Sequence, residues 1–190
     1  HELLWQRSAD LAQRCLDHAF VQGLARGTLD HEAFKRYVAQ DVFFLRAFLR
    51  AYALAAAHCE DLDDVRLFHE LMGGVWEELR LHAGYAAQLG IELSNVQPYS
   101  ATRAYTDFLL RVACQGHLDE TVAAMVPCMR LYTFLGSQLS SSYHAQHPYG
   151  DWIATYSSEA FQMLTAQLER LLDRIARDGP SVRDAYRYAM

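Results

Sequence analysis

The chain has 190 residues, 52% hydrophobic and 12% aromatic, and its 17 Lys and Arg stand against 23 Asp and Glu for a net charge of −6. This length fits one domain in which roughly 70% of the unfolded chain's surface is buried, enough for a core and an internal pocket, and nothing in the composition suggests disorder. Nucleic acid and anionic membranes are excluded as partners because the basic residues, nearly all Arg, are interleaved with acids, and the apolar stretch 51–57 between Arg50 and His58 is too short to cross a bilayer.

The sequence starts at His1 rather than Met and shows no signal peptide, so the natural start is expected upstream. Four dispersed cysteines, Cys15, Cys59, Cys114 and Cys128, form no CxxC pair and no disulfide framework. They read as thiols in a reducing, cytoplasmic compartment, three of them packed as core residues.

Helical periodicity runs through nearly the whole chain. The pattern predicts a first helix over 2–23, with Leu4, Leu11, Cys15 and Ala19 on one stripe and Gly23 and Gly27 as punctuation. Asp30 is a good N-cap for a helix over 31–58, where Phe34, Val38, Asp41, Leu45 and Phe48 recur at steps of three or four. A third helix is expected over 61–90, weakened at Gly73-Gly74, then a loop over 94–98 and a fourth helix over 99–114. Gly116 breaks it. A fifth helix runs over 118–143 and should kink at Pro127, which lacks the N–H and crowds the preceding turn. A turn at 147–150, a short helix to Tyr156 and a helix over 158–177 follow. Asp178-Gly179-Pro180 ends the latter, and Ser181 should cap a last stretch that stops at Met190 without a C-cap signal, so the C-terminal end is expected to be incomplete. No strand alternates cleanly and no repeat appears. The expectation is an all-α fold of seven or eight helices in one bundle-like domain over 1–190.

Two residues break this pattern. Asp41 puts a carboxylate on an apolar stripe, which is costly unless it is paired. It is either a buried salt bridge or helix cap, or a group that holds the polar edge of a ligand. Phe44, three residues on, shares its face and suits a flat heterocycle. Cys128 follows Pro127 where helical hydrogen bonds are loosened, with Tyr132 four residues on. It is either a core thiol beside a core tyrosine, or a nucleophile with a phenol that orients or protonates the ligand. Tyr105 and Tyr156 face inward and need partners for their hydroxyls, from the backbone or in a polar pocket.

A metal site is unsupported: His69-Glu70 and Glu78-x-x-x-His82 lie on one helix, but the spacing is one residue longer than Glu-x-x-His, no second copy exists, and HExxH is absent. Serine-hydrolase, P-loop and dinucleotide signatures are absent too.

The segment 20–29 (FVQGLARGTL), with Phe34, Tyr37 and Gln40-Asp41, resembles the opening of the TenA (thiaminase II) family. Pro98, Thr102 and 105–109 (YTDFL) resemble its middle motif, 127–132 (PCMRLY) its cysteine motif, and Tyr149, Trp152-Ile153, Tyr156 and Phe161 its late motif. Each piece is weak alone; four in order along the chain are specific. The resemblance implies a haem-oxygenase-like all-α fold and a homotetramer. It also implies hydrolysis of a substituted 4-aminopyrimidine to hydroxymethylpyrimidine for thiamin salvage, with thiamin itself also cleaved and no metal or organic cofactor. Asp41 matches the family's pocket aspartate, Cys128 the nucleophile of its cysteine-containing branch, and Tyr105, Tyr132 and Tyr156 its pocket tyrosines. Phe44 stands where the best-known members carry Tyr. The family's essential glutamate lies in a last helix that this chain ends before reaching.

Three other readings are weighed against this one. A cofactor-independent oxygenase or quinone-forming protein on the same fold would need cationic or His-rich pocket residues, and few are present. A non-catalytic pyrimidine-binding or regulatory protein is separated from the enzyme by product formation. A purely structural helical protein would respond to no pyrimidine.

Overall fold

The computed structural model describes residues 1–92, 96–115, 117–177 and 179–190, with the side chain of Leu89 excepted. The expected loop residues Ser94 and Asn95, the expected helix break at Gly116 and the helix end at Asp178 lie outside the described residues. Among those described, every regular element is helical, and no helix is long and apolar enough to cross a membrane. They form two compact units, one of residues 31–121 and one of residues 1–30 with 122–190.

In the first of these units the chain runs from the long helix starting at His31, directly after Asp30. We number helices along the chain, so this one is α4 (His31–Ala57), followed by α5 (Leu62–Leu89) and α6 (Ser100–Cys114). The stripe read from the sequence is the buried face of α4: Phe34, Val38, Leu45 and Phe48 are buried, and Asp41 with them. That face packs along both α5 and α6. Asp61 caps α5 by accepting from the Asp63 N–H at 2.8 Å. The helix passes through Gly73-Gly74 without a break and ends at Gly90, whose φ of 66° is open to glycine at no steric cost.

The other unit holds α1 (Glu2–Gln6), α2 (Ala9–Leu16) and α3 (Ala19–Arg26), most of α7 (Leu118–Leu139), and α8 (Gly150–Ser157), α9 (Glu159–Ile175) and α10 (Pro180–Ala189). The single helix expected over 2–23 is therefore three. Ser8 leaves helical geometry (φ −115°, ψ 8°) and is buried. His18 is extended (φ −62°, ψ 138°), and its ring accepts from the Phe20 N–H to cap α3, while the Gln22 side chain donates to the Leu16 carbonyl at the end of α2. Local capping thus outweighs an uninterrupted apolar period. Gly23 lies inside α3 rather than ending it, and Gly27 makes the left-handed C-cap. α7 continues through Pro127. α10 opens with Pro180 in its first turn, so Ser181 lies inside the helix instead of capping it. None of the four cysteines forms a disulfide, as expected, but they are not the core residues expected of three of them: Cys114 is exposed and the others are half-buried.

Candidate active site

Asp41 sits midway along α4 and is 8% exposed. Its Oδ2 lies 2.7 Å from Nε2 of His82 on α5, and it accepts a longer bond of 3.3 Å from the Tyr37 hydroxyl one turn earlier. His82 is 1% exposed, and its Nδ1 lies 2.8 Å from the Glu78 carbonyl oxygen. Burial pulls the imidazole pKa down. The hydrogen bond and charge of Asp41, joined by the Glu78 carbonyl and carboxylate, outweigh that and leave it raised. The Tyr37 and Tyr85 rings flank the imidazole with centroids 6.1 Å away. The salt-bridge reading of Asp41 thus has a named partner. Both contacts fall on one oxygen, so Oδ1 has no partner among the described residues.

Phe44 follows Asp41 by one turn and packs on Tyr105 of α6 at 5.0 Å between centroids, and on Phe48 at 4.7 Å. Phe48 and Tyr105 are stacked with nearly parallel planes, 18° apart at 6.4 Å between centroids. These rings form an apolar wall shared between α6 and the helix that carries the buried carboxylate. Gln40, one residue before Asp41 and so turned about 100° from it, ties α6 to α4. Its Oε1 accepts from the Tyr99 N–H and the Thr102 hydroxyl, both at 2.8 Å, and its Nε2 donates to the Gln97 carbonyl at 3.1 Å. Tyr99, the N-cap residue of α6, makes no side-chain cap of its own. Gln40 supplies the missing acceptor and fixes the helix that carries Tyr105.

In the other unit, Cys128 is half-buried on α7, one turn before Tyr132. Tyr132 packs on Tyr156 of α8 at 4.4 Å and on Trp152 at 5.9 Å, and Tyr156 meets Phe161 edge-on at 5.2 Å. This close approach depends on Gly136, one turn after Tyr132. A Cβ there would collide with the Tyr156 carbonyl and lie 2.7 Å from the Ser157 nitrogen. The late motif is anchored by other groups: Tyr149 donates to the Leu29 carbonyl at 2.8 Å, and His147 bonds the Ala25 carbonyl at 3.3 Å. Tyr149 is therefore engaged by the backbone.

The same unit holds a second polar cluster. Glu169 on α9 is 5% exposed and bonds Arg130 of α7 at 3.0 Å. Burial raises its pKa against the lowering effect of the Arg130 guanidinium. Arg130 also lies over the Trp5 ring at 5.0 Å. Tyr186 of α10 is 1% exposed, with no hydrogen-bond partner for its hydroxyl among the described residues, and its pKa is pushed far up, by burial first and then by Glu169.

The structure thus brings Phe44 onto Tyr105 and Tyr132 onto Tyr156, and gives Asp41 the partner His82. His82 was considered in the sequence only as a metal ligand; its position 41 residues from Asp41 carries no local signal for the pair. Gln40 stands in the opening motif, but its cap on α6 carries no local signal; for the Gly136 contact, a glycine inside a helical run one turn from a motif tyrosine is the available sign. Among the described residues no group of three or more His, Cys, Asp or Glu is placed to hold a metal ion.

The sequence profile of the TENA/THI-4/PQQC family matches residues 5–186. An aminopyrimidine aminohydrolase from Halalkalibacterium halodurans is 34% identical over 180 residues, covering 92% of this chain and 80% of that protein. A bifunctional mitochondrial TH2 protein from Arabidopsis thaliana is 39% identical over 179 residues, covering 83% of this chain, which spans only 29% of that longer protein. Among solved structures, a TenA family transcription regulator from Silicibacter sp. TM1040 superposes with a TM-score of 0.90 at 30% identity, over 99% of this chain and 90% of that one.

Proposed function

The chain belongs to the TENA/THI-4/PQQC family, and from that membership we propose that it is an aminopyrimidine hydrolase. It releases hydroxymethylpyrimidine from breakdown products of thiamin, or from thiamin. The observation that carries the reading is Asp41, a buried carboxylate with one oxygen uncommitted, on the helix whose Phe44 and Phe48 join Tyr105 of α6 in an aromatic wall.

A 4-aminopyrimidine presents a ring nitrogen and an exocyclic amine side by side on a flat ring. Oδ1 of Asp41 accepts from that edge, and burial strengthens the bond. A pyrimidine protonated at that ring nitrogen donates to the carboxylate, and the protonation draws electron density from the ring and makes a ring carbon electrophilic. The Cys128 thiolate adds there. The electron pair then expels the group on the ring's methylene arm, water adds to the exposed methylene, and the thiol leaves. Tyr105, Tyr132 and Tyr156 position the ring and the water. The compartment that suits a half-buried thiol nucleophile outside any disulfide is the cytoplasm, and the family resemblance adds a homotetrameric assembly.

The test is incubation with 4-amino-5-aminomethyl-2-methylpyrimidine and, separately, with thiamin, followed by quantification of hydroxymethylpyrimidine. Release that depends on Cys128 supports the hydrolase, and faster release from the aminopyrimidine assigns it to salvage. Tight pyrimidine binding with no release from either overturns it in favour of a non-catalytic binding protein.

A further inference from the structure

We infer that His82 is a positioning residue: as an imidazolium it holds Oδ2 of Asp41 so that Oδ1 faces the aminopyrimidine, and loss of its proton sets the alkaline limit of ligand binding and turnover. The inference rests on the proposed pyrimidine site and adds to it a residue that does not touch the substrate.

Hydrogen-bond polarity carries the argument. The Glu78 carbonyl can only accept, so Nδ1, 2.8 Å away, carries a hydrogen. A neutral imidazole protonated there would leave an Nε2 lone pair 2.7 Å from the negative Oδ2, with no aligned hydrogen bond between them. Two unshared pairs that close in a buried setting repel, so Nε2, far more basic than a carboxylate, carries a proton, and the contact is an ion pair rather than an aligned hydrogen bond. Both ring nitrogens then carry a hydrogen, and the ring is a cation. A protein interior tolerates such a cation only beside its counter-charge, and Asp41 is that counter-charge. The raised imidazole pKa agrees with this assignment.

The surroundings support a single dominant partner. From α4 the groups facing the imidazole are Asp41 and the Tyr37 phenol. On its own helix they are Glu78 and Tyr85. The charged residues of α6, Arg103, Asp107 and Arg111, are exposed and do not contact the pair. When His82 loses its proton the attraction to Oδ2 becomes a repulsion, Asp41 is free to rotate, and the ligand loses its oriented acceptor. Misplacement of a reacting partner by about 1 Å costs on the order of 10²-fold in rate.

The experiment combines nitrogen NMR of the His82 ring with pH profiles of kcat/KM and of hydroxymethylpyrimidine affinity, for the wild type, His82→Gln and His82→Leu. The expected result is a ring protonated on both nitrogens at neutral pH, and a wild-type alkaline limb that coincides with its titration. His82→Gln, which keeps a donor but cannot titrate, loses that limb; His82→Leu loses about 10²-fold in kcat/KM at neutral pH. A neutral His82 ring at neutral pH, or a wild-type limb unchanged in His82→Gln, overturns the inference. The ring spectrum is read on the wild type, so misfolding of a variant does not block the test. If the wild type binds pyrimidine with the expected pH profile yet releases no product, the hydrolase reading fails while the positioning role stands.

Discussion

Nε2 of His82 lies 2.7 Å from Oδ2 of Asp41, and both side chains are buried in the packing of α4 against α5. The two residues form a stabilising pair with a definite pH dependence. Because the folded pKa of His82 is raised, the stabilisation is fully present below the ordinary imidazole value of about 6.5 and is lost as pH rises through the higher folded value. Urea midpoints of the wild type should fall between about pH 6 and about pH 9 by more than those of His82→Gln. Removing the counter-charge with Asp41→Ala should cost about 3 kcal/mol, because it strands a buried histidine. Equal pH slopes in wild type and His82→Gln would show that the pair does not share a proton.

Cys128→Ser should lower hydroxymethylpyrimidine release by at least about 10²-fold while calorimetry still shows pyrimidine binding. Retention of most of the turnover would remove Cys128 as nucleophile.

Gly136→Ala separates a packing constraint from helix propensity. In an ordinary helix interior the change stabilises by up to about 1 kcal/mol. Here the new methyl meets the backbone of Tyr156 and Ser157, which cannot yield as a flexible side chain does. The expected outcome is a loss of about 1–3 kcal/mol in thermal unfolding, together with altered Trp152 fluorescence as the Tyr132–Tyr156–Trp152 cluster opens. A raised Tm would show that α7 and α8 lie further apart than described.

Gln40→Ala deletes the acceptor that serves the Tyr99 N–H and the Thr102 hydroxyl. Stability should fall by about 0.5–1.5 kcal/mol, since the bonds to Gln97 and Tyr99 are solvent-accessible, with faster hydrogen exchange at the Tyr99 amide. Gln40→Glu, which keeps the acceptor, should retain most of the protection at Tyr99. Unchanged exchange in Gln40→Ala would mean that α6 starts without this cap.

Arg130 and Glu169 should respond unequally. Arg130→Met removes the guanidinium from buried Glu169, leaving it the more distant His1 at 3.8 Å, and should cost about 3 kcal/mol at neutral pH. Glu169→Gln removes a carboxyl that burial already disfavours as an anion and leaves Arg130 with Glu2 and the Trp5 ring. It should change stability by less than about 1 kcal/mol. Denaturation curves at constant m-value decide the comparison, and equal losses would refute the asymmetry.

The sequence by itself determined the helical class, the long helices from α4 onward to within a few residues, the buried stripe of α4 with Asp41 in it, and the motifs that name the family. These depend on the 3.6-residue period, on caps such as Asp61 and Ser158, and on the left-handed stops at Gly27 and Gly90, all written within a few residues of where they act. The same local reasoning failed at 2–23, where a continuous apolar period concealed caps that only form once Ser8 and His18 leave helical geometry. Tertiary structure alone decided that His82 is the partner of Asp41, that Gln40 caps a helix 59 residues away at Tyr99, and that Gly136 must lack a side chain. Each of these depends on which faces of two helices meet. The period of a single helix fixes the direction in which a side chain points, but the atom it meets is set by the packing of another helix against it.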